Sequence, residues 1–275
     1  MEKTPDTLPA LFIGHGNPMN TLEDNRYTQV WQALGQSLLR PRAILAISAH
    51  WYIDATAVTA MAQPRTIHDF GGFPKALFDF QYPAPGDPEL AARIQSLLAP
   101  LTVIADHDWG LDHGTWSILA HLFPQADIPV VQLSIAARQP AAFHYHLGRQ
   151  LAVLRDEGVL ILGSGNAVHN LQAVRWGEDS TPYPWATRTE QRVGECIERG
   201  EHAALIDYPS LDPEMRLAVP APDHFLPLLY VIGAQRESDR ARTLLKGVDL
   251  GSIGMLSVSI ASNTENHPSM HHRNS

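Results

Sequence analysis

Short apolar runs rich in β-branched residues alternate with segments of helical periodicity, and this alternation limits the fold more than any other feature of the chain. The apolar runs predict buried strands at Ala10–Ile13, Ala43–Ser48, Thr56–Ala60, Leu101–Ala105, Pro129–Ile135, Val159–Gly163 and Met255–Ile260. The periodic segments predict helices at about Leu22–Leu39, Pro88–Leu98, Thr115–Phe123, Ala141–Glu157, Thr187–Arg199 and Phe225–Gly233. This order predicts an α/β fold, with a central, mostly parallel or mixed β-sheet flanked by helices.

Two segments interrupt this alternation. Ile67–Asp87 is rich in Phe, Gly and Pro and predicts an ordered loop or lid, whereas Gly177–Trp185 is a more polar connection. We expect one domain over residues 1–262 and a polar, flexible tail over residues 263–275. The tail histidines, His271 and His272, are assigned to solvent.

Composition excludes several classes of protein. The net charge of −9 argues against nucleic-acid binding, which needs a basic face. The chain has no run of 18 apolar residues, so the sequence does not predict a membrane span. The first residues lack the basic and apolar pattern of a signal peptide, and the single Cys196 permits no internal disulfide, so we expect a cytoplasmic protein. No long amphipathic stripe calls for a partner chain, which leaves the oligomeric state open.

Histidine is the abundant chemical residue, with 14 copies, and four of them occupy similar positions. His15, His50 and His169 come at or just after predicted strands, and His224 opens a predicted helix. One such histidine is more often a hydrogen-bonded structural residue than a ligand. Four of them beside glycines favour a shared site at the carboxyl ends of the strands, where ligands of α/β proteins collect. Three neutral imidazoles on one divalent cation leave positions open for water or substrate.

Other histidines have weaker signals. His113 follows Asp112 at the start of a predicted helix. Either Asp112 and Thr115 only cap this helix and leave His113 at the surface, or His113 belongs to the site. His107 is a weaker candidate of the same kind, and His68 lies in the aromatic loop. The remaining histidines fall in or beside helical segments and are assigned to packing or solvent: His121, His144, His146 and His202.

Several runs together carry a family resemblance: GHGNP (14–18), SAHW (48–51), DFGGFP (69–74), YPAPGDPELA (82–91), LDHGTW (111–116), GSGNAVHNL (163–171) and DHFLPLLYVIGA (223–234). In this set the chain resembles the DOPA 4,5-extradiol dioxygenases, which belong to the LigB-type, class III extradiol ring-cleaving enzymes. The matching runs follow the family order from about residue 10 to residue 260.

The resemblance implies a divalent metal held by His15, His50 and His224, with His169 as the acid/base residue or as an additional ligand. It also implies that His113 lies near the bound oxygen. Better-known LigB-type enzymes use two histidines and one carboxylate on Fe(II), so Asp223 is an alternative to His224. An all-imidazole site suits zinc at least as well as iron. We therefore expect Zn(II) in the protein as isolated and Fe(II) for turnover, because Zn(II) carries no redox chemistry.

The resemblance further implies a small catechol such as DOPA and O₂ as substrates, with a semialdehyde as product. The loop residues His68, Phe70 and Phe73 are predicted to contact the ring. Lys75, Arg138 or Arg175 could pair with a substrate carboxylate, and the sequence does not choose between them.

Two alternative functions stay open at this point. One is a zinc hydrolase with Asp112 as its base, and the other is a non-catalytic, metal-binding adaptor. The presence of both His113 and His169 favours an enzyme over the adaptor.

Overall fold

An eight-stranded sheet forms the centre of the computed structural model, which describes residues 7–177 and 180–262. The strands are β1 (Ala10–Gly14), β2 (Ala43–Ile53), β3 (Ala57–Thr59), β4 (Ile104–Asp106), β5 (Val130–Ala136), β6 (Val159–Gly165), β7 (Asp239–Leu245), β8 (Val248–Asp249), β9 (Ile253–Gly254) and β10 (Ser257–Ser262). Their order across the sheet is β4-β3-β5-β2-β6-β1-β10-β7, and β8 and β9 form a separate hairpin.

The four central strands β5, β2, β6 and β1 are parallel, and antiparallel pairs join further strands on either side. β1, β5 and β6 are buried over their whole length, since helices cover both faces of the sheet. Neighbouring residues of β1 point to opposite layers, so that Phe12 packs into one apolar core and Leu11 and Ile13 into the other. The prediction of a single α/β domain with a mixed sheet is confirmed.

Nine helices surround the sheet in the described part of the chain: α1 (Arg26–Ser37), α2 (Lys75–Asp79), α3 (Pro88–Leu98), α4 (His113–Leu122), α5 (Ala141–Leu151), α6 (Pro184–Arg199), α7 (His202–Ile206), α8 (Met215–Ala218) and α9 (Leu226–Gly233). Residues of α3, α5 and α9 share the core that contains Phe12, and residues of α1 and α4 share the core that contains Leu11. None of the helices within residues 7–177 and 180–262 has the length and apolarity that a bilayer crossing requires.

Local hydrogen bonds explain where helix ends differ from the sequence prediction. The first helix begins at Arg26 rather than Leu22, because the Asn25 side chain accepts hydrogen bonds from the first turn and caps it. The helix predicted to reach Glu157 ends at Leu151 and continues only as a 3₁₀ turn. α6 begins at Pro184, where proline takes the first helical position.

The sequence missed β7 and the β8–β9 hairpin, and it placed β4 too early. It also missed the short helix α2 inside the segment Ile67–Asp87. Residues 263–275, predicted as a tail, lie outside the described residues.

Candidate metal centre

The adjacent parallel strands β2, β6 and β1 end at one edge of the sheet and bring distant histidines together. His15 follows β1 directly, and His50 lies in β2, which is longer than predicted. His169 comes shortly after β6, and His224 precedes α9. The predicted gathering of these four residues at the carboxyl ends of the strands is therefore what the fold shows.

Gly165 lets the segment before α9 lie against the end of β6. A Cβ atom at this position would be 2.2 Å from the carbonyl oxygen of His224, so a larger residue would push that segment away. The backbone N–H of Asn166 donates to the same oxygen at 2.9 Å. The GSGN turn thereby fixes the position of His224.

Five imidazole rings cluster at this edge. The ring centroid of His15 lies 5.0, 5.6 and 5.3 Å from those of His50, His113 and His224, respectively. The His50 and His113 centroids are 3.9 Å apart, and His169 stacks on His224 at 3.5 Å. Within the described residues, ligand atoms of His15, His50 and His113 all lie within 4.8 Å of one another. The predicted ligand His224 is not in this group, although its ring centroid lies slightly closer to that of His15 than the centroid of His113 does.

Hydrogen bonds determine which nitrogen atoms of His15 and His50 face each other. Ser164 donates its hydroxyl proton to the carbonyl oxygen of Gly114 at 2.5 Å, so its oxygen accepts from Nδ1 of His15 at 2.9 Å. Nδ1 of His50 lies 3.0 Å from a carboxylate oxygen of Asp69 and donates to it. With His50 neutral, both rings present unprotonated Nε2 atoms, which lie 3.2 Å apart.

Two lone pairs that face each other at this distance repel, and a cation between them removes the repulsion. Nitrogen ligands at about 2.0–2.1 Å from one tetrahedral zinc ion are about 3.3 Å apart. The observed separation of 3.2 Å agrees with that value. Imidazoles whose second nitrogen donates to an oxygen acceptor are also typical of metal ligands. The residues present therefore fit a divalent ion.

Asp69 bridges His50 and His113. Its Oδ2 lies 3.0 Å from Nδ1 of His50, and its Oδ1 lies 3.0 Å from Nδ1 of His113. The side-chain contact to His113 is poorly aligned for a hydrogen bond, but the backbone N–H of His113 donates to the same oxygen at 2.9 Å. Burial opposes ionisation of Asp69, yet its close contacts with His113 and His50 hold its pKa far below the usual range. One ionised carboxylate thus orients two rings.

Asp223 orients His224, whose Nδ1 donates to its carboxylate at 2.6 Å. His169 lies on the cavity side, half-buried, and its ring makes no hydrogen bond to residues 7–177 or 180–262. Burial lowers the pKa of His169 to about 4, against the opposing charge of Asp223. The His169 ring is therefore neutral at pH 7 and can accept a proton.

Burial also keeps most of the other rings neutral. The pKa values of His15 and His224 lie well below the ordinary value, because of burial and then repulsion from neighbouring histidines. The pKa of His113 is lowered for the same two reasons. Burial acts on His50 in the same direction, but the bond to Asp69 and nearby carboxylate charges raise its pKa. Neutral imidazole is the form that binds a metal ion.

A cavity of about 530 Å³ opens beside the five histidines. Phe70 and Phe73 of the aromatic loop line it, as predicted for a wall beside a ring substrate. Further apolar side chains line the cavity: Leu171, Val174, Trp176, Leu250 and Ile253. Within the described part of the chain, no lysine or arginine is among the lining residues. The volume and the apolar walls suit a small aromatic molecule.

His68 lies outside this lining. Its ring packs against the edge of Phe70 with centroids 5.8 Å apart, and its Nε2 lies 2.9 Å from the carbonyl oxygen of Phe80. The structure thus places it behind the aromatic loop, next to Phe70 rather than next to the cavity.

The three basic residues considered as carboxylate partners also lie outside the lining. Lys75 and Arg138 form ion pairs at the surface, and the guanidinium of Arg175 lies 3.9 Å from the ring centroid of Tyr183. His107 is exposed.

The histidines assigned to packing or solvent lie elsewhere, where they make other hydrogen bonds or are exposed: His121, His144, His146 and His202.

Asp112 has a structural role. Its carboxylate accepts from the Ser48 hydroxyl at 2.7 Å, from the backbone N–H of Thr115 at 3.1 Å and from the Gln132 amide. It is fully buried and does not line the cavity. The helix-cap interpretation of this segment is therefore confirmed. The alternative in which capping leaves His113 at the surface is wrong, because the first turn of α4 points its ring into the centre.

Sequence reasoning did not single out Asp69 or Ser164. Both act on histidines through contacts between distant parts of the chain, 44 residues for Asp69 with His113 and 149 for Ser164 with His15. The one local signal was the position of Asp69 directly before Phe70 in the aromatic loop and of Ser164 inside a glycine turn.

Comparison with known proteins decides the family. A family model described as the catalytic LigB subunit of aromatic ring-opening dioxygenase matches residues 9–255. The chain belongs to this family. The LigB resemblance seen in the sequence is confirmed, and with it the assignment as an extradiol, ring-opening oxidoreductase that acts on a small aromatic substrate with O₂.

Relatives of this LigB protein support the same assignment. It is 53% identical over 258 residues to the 4,5-DOPA dioxygenase extradiol of Escherichia coli (strain K12), across 92% of this chain and 94% of the relative. It is 40% identical over 249 residues to the protein of the same name from Beta vulgaris, across 88% and 92% of the two chains. The crystal structure of the uncharacterized protein JW3007 from Escherichia coli K12 matches with a TM-score of 0.81 at 47% identity, over 92% of this chain and 99% of that chain.

Proposed function

We propose that this LigB enzyme opens the ring of a catechol such as DOPA by 4,5-extradiol cleavage. O₂ supplies both added oxygen atoms, and the product is a semialdehyde that carries a carboxylate. The observation that carries the proposal is the pair of facing Nε2 atoms of His15 and His50, 3.2 Å apart beside an apolar cavity. The names of the relatives from Escherichia coli and Beta vulgaris support DOPA as the model substrate.

His15, His50 and His224 are our proposed metal ligands. Their ring centroids form a triangle with sides of 5.0, 5.1 and 5.3 Å, and each Nδ1 has an oxygen acceptor, which leaves each Nε2 free. Fe(II) held by these residues would supply Lewis acidity toward the catechol and redox chemistry with O₂, whereas Zn(II) would supply the Lewis acidity alone. We propose Zn(II) in the isolated protein and Fe(II) for turnover.

His169 is the proposed acid/base residue. Its neutral ring borders the cavity and makes no hydrogen bond to another described side chain, so it can take a phenolic proton from the catechol and later return it to the product. Such transfers contribute on the order of 10²–10⁴-fold to a rate. A role as an additional ligand is the alternative for the substrate-free enzyme.

His113 is proposed to act on the oxygen atoms that add to the ring. Its Nδ1 faces Asp69, so its Nε2 is the atom that can accept a proton at the cavity and give it back. Phe70 and Phe73 would cover the ring and exclude water. His68 would then act on the substrate only through Phe70, which it supports.

The buried Asp112 weighs against the zinc hydrolase alternative. A hydrolase needs a carboxylate that faces the water on the metal, and Asp112 is instead held by Ser48, Thr115 and Gln132. A non-catalytic adaptor would have no use for the two histidines, His113 and His169, that the cavity places beside the proposed ligands.

We also propose a cytoplasmic location, since the single cysteine, Cys196, is a buried free thiol. Residues 1–262 are the proposed catalytic domain, with residues 263–275 as a tail.

The test of the proposed function is turnover by iron-loaded protein. The metal is removed, Fe(II) is added anaerobically, and DOPA is supplied with O₂. We expect one O₂ consumed per catechol and a yellow semialdehyde product, with no turnover by zinc-loaded protein. Absence of oxygen uptake across several catechols, together with hydrolysis of simple esters by the zinc form, would contradict the proposal and support the hydrolase.

A further inference from the structure

Asp69 lies in the aromatic loop directly before Phe70, and its carboxylate reaches the histidine centre. One oxygen lies 3.0 Å from Nδ1 of His50. The other lies 3.0 Å from Nδ1 of His113 and accepts the backbone N–H of that residue at 2.9 Å. A single side chain of the loop thus contacts one proposed ligand and one proposed proton-transfer residue.

The next residue, Phe70, contacts the same centre through its ring. Its centroid lies 5.4 Å from that of His113 in an edge-to-face arrangement, and 5.3 Å from that of Phe73. Phe70 and Phe73 line the cavity. The residues that line the cavity therefore come directly after Asp69, whose carboxylate orients the histidines.

The backbone of the loop between Asp69 and Phe73 is not closely packed at its two glycines. Cβ atoms added at Gly71 or Gly72 would meet nothing within 4 Å, and Gly72 has a φ of +80°, which other residues rarely adopt. A backbone hydrogen bond from Ile67 to Leu111 holds the first end of this segment, and the fully buried side chain of Leu77 in α2 holds the second. Between these ends, the position of the loop depends on the contacts of Asp69 and of the aromatic rings.

We infer that Asp69 is a positioning residue that couples the aromatic loop to the metal centre, so that a bound divalent ion orders the loop. An ion on Nε2 of His50 fixes the direction in which Nδ1–H of that ring points. The fixed N–H group then holds the Asp69 carboxylate, and with it the loop that covers the substrate. The inference rests on the proposed metal site but does not depend on ring cleavage.

Hydrogen exchange of the loop amides, measured with and without zinc, tests this coupling. In the unmodified protein we expect zinc to slow exchange over residues 67–77 at least about threefold. Asp69→Asn keeps the size of the side chain but has one carbonyl oxygen, so it cannot accept from His50 and from the backbone N–H of His113 at separate oxygens. It should weaken zinc binding by about 10–100-fold, as losses of such ligand-orienting groups do. At saturating zinc, it should also lose the slowing of exchange in the loop.

Asp79→Asn is the matched control, because Asp79 belongs to the same segment but pairs with Lys75 at the surface. It should bind zinc and slow loop exchange as the unmodified protein does. Loop exchange that is unchanged by bound zinc in the unmodified protein overturns the inference, whether or not Asp69→Asn folds. Normal slowing of exchange in zinc-saturated Asp69→Asn also overturns it. Failure of the unmodified protein to bind zinc at all would instead overturn the proposed metal site.

Discussion

The imidazole of His169 lies parallel to that of His224, with the two centroids 3.5 Å apart and an angle of 6° between the rings. Asp223 accepts a hydrogen bond from Nδ1 of His224, whereas the ring of His169 borders the cavity. The stack therefore places a neutral imidazole at the cavity and next to a proposed ligand, which is the position that the proposed acid/base role requires.

His169→Ala should separate proton transfer from metal binding. We expect kcat for DOPA to fall by about 10²–10⁴-fold while the metal content stays that of the unmodified protein, since the other proposed ligands remain. Elemental analysis and oxygen uptake measure the two effects. His146→Ala, at an exposed histidine, is the control. Loss of the metal from His169→Ala would make His169 a ligand and not only an acid/base residue.

Gly114 is predicted to be essential for the position of His50. A Cβ atom at residue 114 would lie 2.5 Å from the hydroxyl oxygen of Ser48 and 2.8 Å from Cδ2 of His50. Gly114→Ala should therefore move the ring and weaken zinc binding at least about tenfold. Titration against a competing chelator measures the affinity.

Gly71→Ala serves as the matched control for Gly114→Ala, because a Cβ atom there meets nothing within 4 Å. It should bind zinc like the unmodified protein. Equal zinc affinity in Gly114→Ala and Gly71→Ala would show that the close approach of α4 does not set the geometry of the centre.

The cavity should recognise the catechol ring more than its substituent. Since no lysine or arginine lines the described part of the cavity, a substrate carboxylate gains no ion pair there. We expect kcat/KM values for dopamine and 4-methylcatechol within about tenfold of that for DOPA, a difference of about 1.4 kcal/mol or less. A preference for DOPA above a hundredfold would contradict this expectation. Its loss in Arg175→Gln would identify Arg175 as the carboxylate partner.

Acid stability should depend on His144, which is buried and bonded to the Tyr230 hydroxyl at 3.0 Å. Burial lowers the pKa of His144 to about 4, below the usual value near 6.5. Between these values the unfolded chain binds the extra proton, so this residue makes the free energy of unfolding fall as the pH drops from about 6.5 to 4. Its contribution is at most about 3 kcal/mol.

Urea unfolding of His144→Asn at pH 7 and at pH 4.5 measures that contribution. The asparagine keeps a polar atom near Tyr230 but does not titrate, so the stability advantage of the unmodified protein over the variant should shrink at the lower pH. A difference that stays the same at both pH values would contradict the prediction. His146→Asn controls for an exposed histidine.

Sequence patterns predict the gathering of the histidines because the relevant rules are local. Apolar strands end near His15 and His50, and neighbouring parallel strands share an edge, so their carboxyl ends meet whatever the details of the loops. The helix cap at Asp87 with Pro88 in the first turn is likewise set by adjacent residues, and α3 begins there as predicted.

Contacts between distant segments escape such patterns. β7 went unrecognised because Asp239, Arg240 and Arg242 interrupt its apolar residues. Asp239 is nevertheless buried, since it pairs with the equally buried Arg155 at 2.6 Å. The bridging role of Asp69 depends in the same way on where a loop without periodicity meets β2 and α4.

Anomalous diffraction at the zinc edge, from crystals of zinc-loaded protein, tests the central claim most directly. The account predicts one ion per chain between the facing Nε2 atoms of His15 and His50, about 2.0–2.1 Å from each, with His224 as the third protein ligand. An ion bound elsewhere, or no ion between these two histidines in crystals that contain zinc, would contradict it.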